Sequence, residues 1–169
     1  MADIYKEYRI VQTKTAKDTM FTALLWIAGI ALMIAEIVFA GPGLGLILAL
    51  LTGWGAYTLT TFMNKEYEYI LTNNELDIDV IYNKSSRKSK FTIDLKKIDI
   101  MAKVNDDLYT HELGKPGYTV FNAATNRAED TTYAIMLEND SMGKKKILIS
   151  PPEELVMEMY KQSPSKIKK

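Results

Sequence analysis

A chain of 169 residues with 21 Lys plus Arg and 21 Asp plus Glu carries no formal net charge at neutral pH, so no global field favours nucleic acid or an acidic substrate. It has no cysteine, which excludes disulfides, thiolate zinc sites and a cysteine nucleophile together. The length fits one small domain with an appendage, and the charges are unevenly placed: between Met20 and Met63 the only ionisable side chains are Glu36 and Tyr57.

Residues 1–19 include "ADIYKEYRIVQTKTAKD", which sets Ile4, Tyr8 and Val11 at helical spacing beside Lys6 and Arg9. The segment reads either as a short helix lying on a membrane surface or as a flexible cytoplasmic arm.

Residues 20–63 read as a transmembrane hairpin. Met20–Ala40 is 21 residues with one charge, and Leu44–Met63 is 20 with none. At about 1.5 Å per residue, each spans the ~30 Å apolar core of a bilayer. Only Gly41, Pro42 and Gly43 lie between them, so the corner is expected at a membrane face, where free backbone groups meet water. The glycines of "FAGPGLGL" lack the spacing and the Lys of a phosphate-binding loop. A buried helical pair in a soluble core is disfavoured because a domain this small rarely hides two all-round apolar helices. The run is also too long for a signal peptide and is followed at once by a second span. Lys6, Arg9, Lys14 and Lys17 before the first span and Lys65 after the second place both ends in the cytoplasm of a multi-pass cell-membrane protein.

Glu36 is the one costly residue in the spans and is a candidate functional group by default. It stands about one turn from the Gly41 corner, where a carboxylate can reach the headgroups or pair the helices. The alternative is a proton or ion relay in a small oligomeric transporter or channel subunit, although no second intramembrane charge is present. Ala28, Ala31 and Ala35 share a face of the first helix, and Ala49 with Gly53 makes a small-xxx-small pair on the second. Trp54 and Tyr57 lie too deep for an interfacial belt and are expected to pack.

From Tyr67 the period becomes two. "YEYILT", the turn Asn73–Asn74 and "ELDIDVIY" predict a hairpin, "NKSSRKSK" a polar tip, and "KFTIDL" a return strand with Phe91, Ile93 and Leu95 inward. "IDIMAKV", the loop "NDDLYTHELGKPG", "YTVFNA", "TTYAIMLE", an Asn139–Gly143 turn and "KKILIS" follow. After Pro151 and Pro152, "EELVMEMYKQ" starts a helix with acids in its first turn and Leu155, Val156, Met159 and Tyr160 on one face. Residues 162–169, "SPSKIKK" among them, read as a disordered basic tail. The fold expected for residues 65–161 is thus all-β, about seven mostly antiparallel strands in a sandwich or partly open barrel, plugged by one C-terminal helix.

The two spans followed by "YEYILTNNELDIDVIYNKSSRKSKFTIDLKKIDIMAKV" resemble bacterial membrane proteins that carry a pleckstrin-homology-like domain directly after a helical pair. The matching positions are Tyr69, Leu71 and Thr72, then Arg87 and Lys88, then Ile93, Leu95 and Ile98. The chain is most similar to small two-span members found in Gram-positive anaerobes. The turn at Asn73 and Asn74 replaces a frequent glycine, but asparagine tolerates the same positive φ. The resemblance covers residues 20 to about 104 and is topological beyond. It implies a membrane-tethered binding or scaffolding module and supplies no catalytic residue.

The residues themselves add no catalytic constellation. His111 is the only histidine, with no second ligand at metal spacing. Ser141 and Ser150 lack a nucleophile-elbow context, and Asp77, Asp79, Asp94 and Asp99 read as a solvated sheet face. No metal, cofactor or enzymatic activity is expected. Lys84, Arg87, Lys88, Lys90, Lys96 and Lys97 form the most basic patch and are the candidate contacts for anionic lipid headgroups or a protein partner. The expected partners are therefore the bilayer, spanned twice, and a protein or anionic lipid, with no nucleic acid; a homo-oligomer is compatible with the sequence.

Overall fold

The structure, a computed structural model, describes residues 4–139 and 143–168. These form two compact units. One gathers the described residues of 1–13, 66–81 and 86–169, and the other comprises 14–65 with 82–85.

The second unit is built on α1, Ala16–Thr61. Thr15 caps its start reciprocally with Asp18: the Thr15 side chain accepts from Asp18 N at 3.2 Å, and Thr15 N donates to Asp18 Oδ2 at 2.9 Å. Two separate helices joined by a Gly41–Gly43 corner are expected from the sequence; the structure instead has one continuous helical element in which Gly41 alone leaves helical geometry, at φ 77 and ψ 170. That conformation is easy only for glycine, and Pro42 then needs no intrahelical donor as the helix resumes. Thr52 Oγ1 donates to Glu36 Oε1 at 2.8 Å across 16 residues. Thr22 Oγ1 lies 3.3 Å from Met63 Sδ across 41. A straight helix would hold those pairs about 24 and 60 Å apart, so the limbs before and after Gly41 lie against each other.

The packing residues between the limbs differ in part from those expected. Gly45, Ala49, Ala56 and Thr60 are buried on the second limb, and a Cβ on Gly29 would stand 3.5 Å from that of Ala56. Ala28 and Ala31 are exposed; the contact row of the first limb runs through Gly29, one position round, where the absence of a side chain admits the other backbone. Trp54 and Tyr57, expected to pack, are exposed. Phe62 then meets Tyr82 edge-on, with ring centroids 6.2 Å apart, and Asn83 N donates to Asn64 O at 3.0 Å. These contacts draw the 82–85 turn to the end of α1.

The first unit is two four-stranded sheets. One has the order β1 (Tyr5–Val11), β2 (Lys65–Thr72), β3 (Glu75–Tyr82), β4 (Ser86–Asp94). The other has the order β5 (Ile100–Lys103), β7 (Tyr133–Asn139), β8 (Gly143–Ile149), β6 (Thr119–Asn122). The β2–β3 turn places Asn73 at φ 54, the positive value that asparagine tolerates. Tyr69, Leu71, Leu76, Ile78, Leu95, Met101, Ile135 and Ile147 are fully buried. Phe121 of β6 packs edge-on against Tyr67 of β2 and Phe91 of β4, with centroids 6.1 and 4.9 Å away, joining the two sheets. A one-turn helix α2 (Thr110–Leu113) carries His111, exposed. Helix α3 (Glu153–Gln162) buries Leu155, Val156 and Met159.

Two expectations are corrected here, those for residues 5–11 and for the tail. Residues 5–11 are neither helix nor free arm. They form β1, antiparallel to β2 with Tyr5 opposite Thr72 and Val11 opposite Glu66, because the same segment also alternates, with Tyr8 and Ile10 half-buried between exposed Glu7, Arg9 and Val11. The strand pairs are mostly antiparallel, as expected; β6 runs parallel to β8, and the one-turn helix and its loop before β6 allow the reversal. The tail is ordered through Lys168: Met101 N donates to Lys166 O at 2.9 Å, Lys168 N to Met101 O at 2.7 Å, and Ile167 between them is fully buried. The sandwich does not close into a barrel. Most of the expected Asn139–Gly143 turn, with Ser141, lies outside the described residues.

Candidate functional site

The first sheet carries a charge network on the face opposite its apolar core. On β2, Tyr67, Tyr69 and Leu71 turn into the core, which sends Glu66 and Glu68 the other way. The Glu68 carboxylate is nevertheless almost wholly buried, because arginines from β1 and from β4, two strands away, lie over it. Arg9 Nη2 of β1 stands 3.2 Å from Oε1, and Arg87 Nη2 of β4 stands 2.8 Å from Oε2. Arg87 also donates through Nε to Asp79 Oδ2 of β3 at 2.6 Å. Its guanidinium is held further above its already high pKa, first by the Asp79 hydrogen bond and then by the Glu68 and Asp79 charges. The network thus crosses all four strands, and Asp79 belongs to it rather than to a solvated face.

This divides the basic patch expected from the sequence. Arg87 is engaged by two carboxylates, and Lys97 lies 3.5 Å from Asp94. Lys84, Lys88, Lys90 and Lys96 are exposed and make no ion pair among the described residues. Lys88 and Lys90 lie on β4, an edge strand. Lys96 and Lys97 sit in the turn beyond its end at Asp94, itself about 20 Å along from Lys88 at strand rise. Lys84 belongs to the turn that packs with the end of α1. The lysines are strung along an edge rather than gathered round one pocket.

A cleft of about 740 Å³ opens in the first unit beside β1 and the start of α3, lined by Arg9, Val11, Thr125, Arg127, Tyr133, Ser150 and Met157 among others. Two of its lining residues, Thr125 and Ser150, belong to a hydroxyl network. The Tyr69 hydroxyl donates to Ala123 O at 2.6 Å and accepts from Ser150 N at 3.1 Å. Ser150 Oγ accepts from Thr125 N at 3.3 Å and lies 3.3 Å from Thr132 Oγ1. Ser150 therefore serves as a structural acceptor, with no histidine beside it. The sequence signal for this network was the tyrosine of the Tyr-x-Leu-Thr entry, whose partners fifty and eighty residues on are invisible to local pattern.

In the helical unit, Glu36 is half-buried with Oε1 bound by Thr52, a hydrogen bond that joins the limbs. Among the described residues, no group of three or more His, Asp or Glu is placed to hold a metal ion.

A family model described as "Bacterial PH-like domain (DUF6106)" matches residues 2–169. No curated protein matches the chain.

Proposed function

Because the chain belongs to the bacterial PH-like domain family, we propose that it is a membrane-anchored, non-enzymatic binding or scaffolding module, in which α1 crosses the bilayer twice and the β unit is presented in the cytoplasm. The observation that carries this reading is the surface of α1. Phe39 is 89% exposed, Val38 69%, and Leu50 and Trp54 68% each, on a helix with no charge between Asp18 and its end except Glu36. Water would penalise so large an apolar surface, whereas hydrocarbon satisfies it. The bend at Gly41 supports a re-entrant path with both termini on one side, the side that Lys14, Lys17 and Lys65 favour. The Thr52–Glu36 hydrogen bond supports a helix-pairing role for the carboxylate.

The partner surface is drawn from the β unit. Lys88, Lys90 and Lys96, exposed and without an ion pair among the described residues, support contact with an anionic leaflet or an acidic protein, at about 1 kcal/mol per lysine close to such a leaflet.

Alkaline extraction of membranes tests the anchor: the chain stays in the pellet if α1 is integral, and release to the supernatant overturns the reading. Gly43→Cys and Ser86→Cys, each the sole thiol in its chain, test the topology with an impermeant reagent on intact cells. Labelling is expected at residue 43 and not at 86; the reverse pattern overturns the orientation.

A further inference from the structure

The free edge of β1 is self-complementary, and we infer that it pairs with the β1 of a second copy of this chain about a two-fold axis at Tyr8.

Asn73 N donates to Ile4 O at 2.9 Å, and the register extends Tyr5 opposite Thr72 to Ile4 opposite Asn73. Hydrogen-bonded and non-bonded pairs alternate along an antiparallel ladder. Lys6, Tyr8 and Ile10 therefore direct their backbone groups at β2, and Tyr5, Glu7, Arg9 and Val11 direct theirs at the open side. Thr13 has the same parity and does send its N–H away from β2, to Thr125 O at 2.8 Å. From Tyr5 to Val11 the edge has no proline to blunt it, and β1 is the outermost strand of its sheet. Such an edge is a template for another strand.

The side chains select the strand. Only registers that set odd residues opposite odd residues let both edges exchange hydrogen bonds. Centred on Tyr8, an antiparallel copy places Glu7 opposite Arg9 and Tyr5 opposite Val11, each twice by symmetry, with about eight interchain backbone hydrogen bonds. Tyr5 and Val11 are 62% and 53% exposed, so this register gives each an apolar cross-strand neighbour. The neighbouring allowed registers are repulsive: one sets Glu7 against Glu7 and the other Arg9 against Arg9. A cleft opens beside Tyr8, Arg9, Ile10 and Val11.

The test is charge exchange in the full chain in detergent, followed by sedimentation. Glu7→Arg and Arg9→Glu each put like charges opposite one another twice, and each should weaken self-association about tenfold. Mixing the two variants restores both attractive pairs and should return association to the parent level, a rescue that damage to folding cannot produce. In addition, Tyr8→Cys stands opposite itself across the axis and should give a disulfide-linked dimer on mild oxidation, while Lys6→Cys should not. A parent chain that is monomeric, a mixture no tighter than either variant alone, or a Tyr8→Cys chain that cross-links no better than Lys6→Cys overturns the inference. A parent that stays monomeric yet binds an unrelated extended peptide at β1 overturns it equally.

Discussion

The Tyr69 hydroxyl accepts the Ser150 backbone N–H at 3.1 Å while donating to the Ala123 carbonyl, so one phenol on the first sheet satisfies two buried backbone groups just beyond β8 and β6 of the second. Tyr69→Phe keeps the ring and strands both groups, each costing about 1–3 kcal/mol when left unpaired. A loss of about 2 kcal/mol is expected in denaturant unfolding of the full chain, with little change in the folded spectrum. A loss under about 0.5 kcal/mol, the scatter of an ordinary surface substitution, would show that water replaces the phenol.

The same residue makes alkaline stability predictable in sign. Burial, its largest cause, pushes the Tyr69 pKa well above the ordinary phenol value. The folded chain therefore keeps a proton that the unfolded chain releases near pH ~10. Its contribution is fully present below that pH and is lost as pH climbs from there through the raised folded pKa. The parent should lose stability more steeply above pH ~10 than Tyr69→Phe does; parallel curves would rule the phenol out as the titrating group.

Arg87, a candidate contact by sequence, is held as the clasp between Glu68 and Asp79. Arg87→Ala leaves a buried Glu68 carboxylate with Arg9 alone and Asp79 without its partner. Because the arginine is itself about half exposed, the cost should fall below that of a fully buried pair, at about 1–3 kcal/mol. Arg87→Lys should recover only part of it, since one ammonium cannot reproduce the two-carboxylate fork. In a vesicle-binding assay, Arg87→Lys should behave as the parent, whereas Lys88→Glu with Lys90→Glu should weaken adhesion to anionic vesicles.

These two cases show where the sequence was legible. Strand alternation from Leu76 to Val80 and from Phe91 to Leu95 is a local signal; β3 appears where period two places it, whereas β4 starts earlier, at Ser86, inside the stretch expected as a polar tip. The bend at Gly41 was also local, carried by glycine and proline between apolar runs. What escaped were partners set by distant chain. Arg87 read only as a candidate contact because Glu68 reaches it across β3, once β2, β3 and β4 lie side by side. β1 was hidden because its pairing partner follows an interruption of fifty residues, and Ile4, Tyr8 and Val11 also fit a helical spacing. The tail failed for a related reason: its composition is that of a solvated segment, and one isoleucine decides otherwise.

Gly45 provides a test of the helical unit by itself. A Cβ there would overlap the Glu36 carbonyl oxygen and stand 2.7 Å from Ile37 Cα, and backbone cannot swing aside as a side chain can. Gly45→Ala gains helix propensity of about 1 kcal/mol in an isolated helix. The overlap nevertheless should make it destabilising, at about 1–3 kcal/mol. Gly43→Ala, whose Cβ would meet nothing within 4 Å, is the control and should be neutral or stabilising. Thermal melting of helical ellipticity in detergent separates them, and equal melting temperatures would mean that the limbs do not lie as closely as Gly45 requires.

Ile167 makes the last prediction, because the tail that holds it also covers an edge of the second sheet. Met101 of β5 exchanges hydrogen bonds with Lys166 and Lys168, and Ile167 sits between them fully buried. Ile167→Ala removes packing but leaves the backbone able to pair, so a loss of about 2–4 kcal/mol is expected from the cavity alone. Ending the chain at Gln162 removes the pairing as well and uncovers the Met101 backbone groups on β5. An uncovered edge is a route to intermolecular pairing. The shortened chain should therefore aggregate on mild heating, whereas Ile167→Ala should unfold earlier yet remain disperse. Light scattering during a thermal scan distinguishes the two. A shortened chain that melts with the parent and stays clear would show that the tail is dispensable to the sandwich.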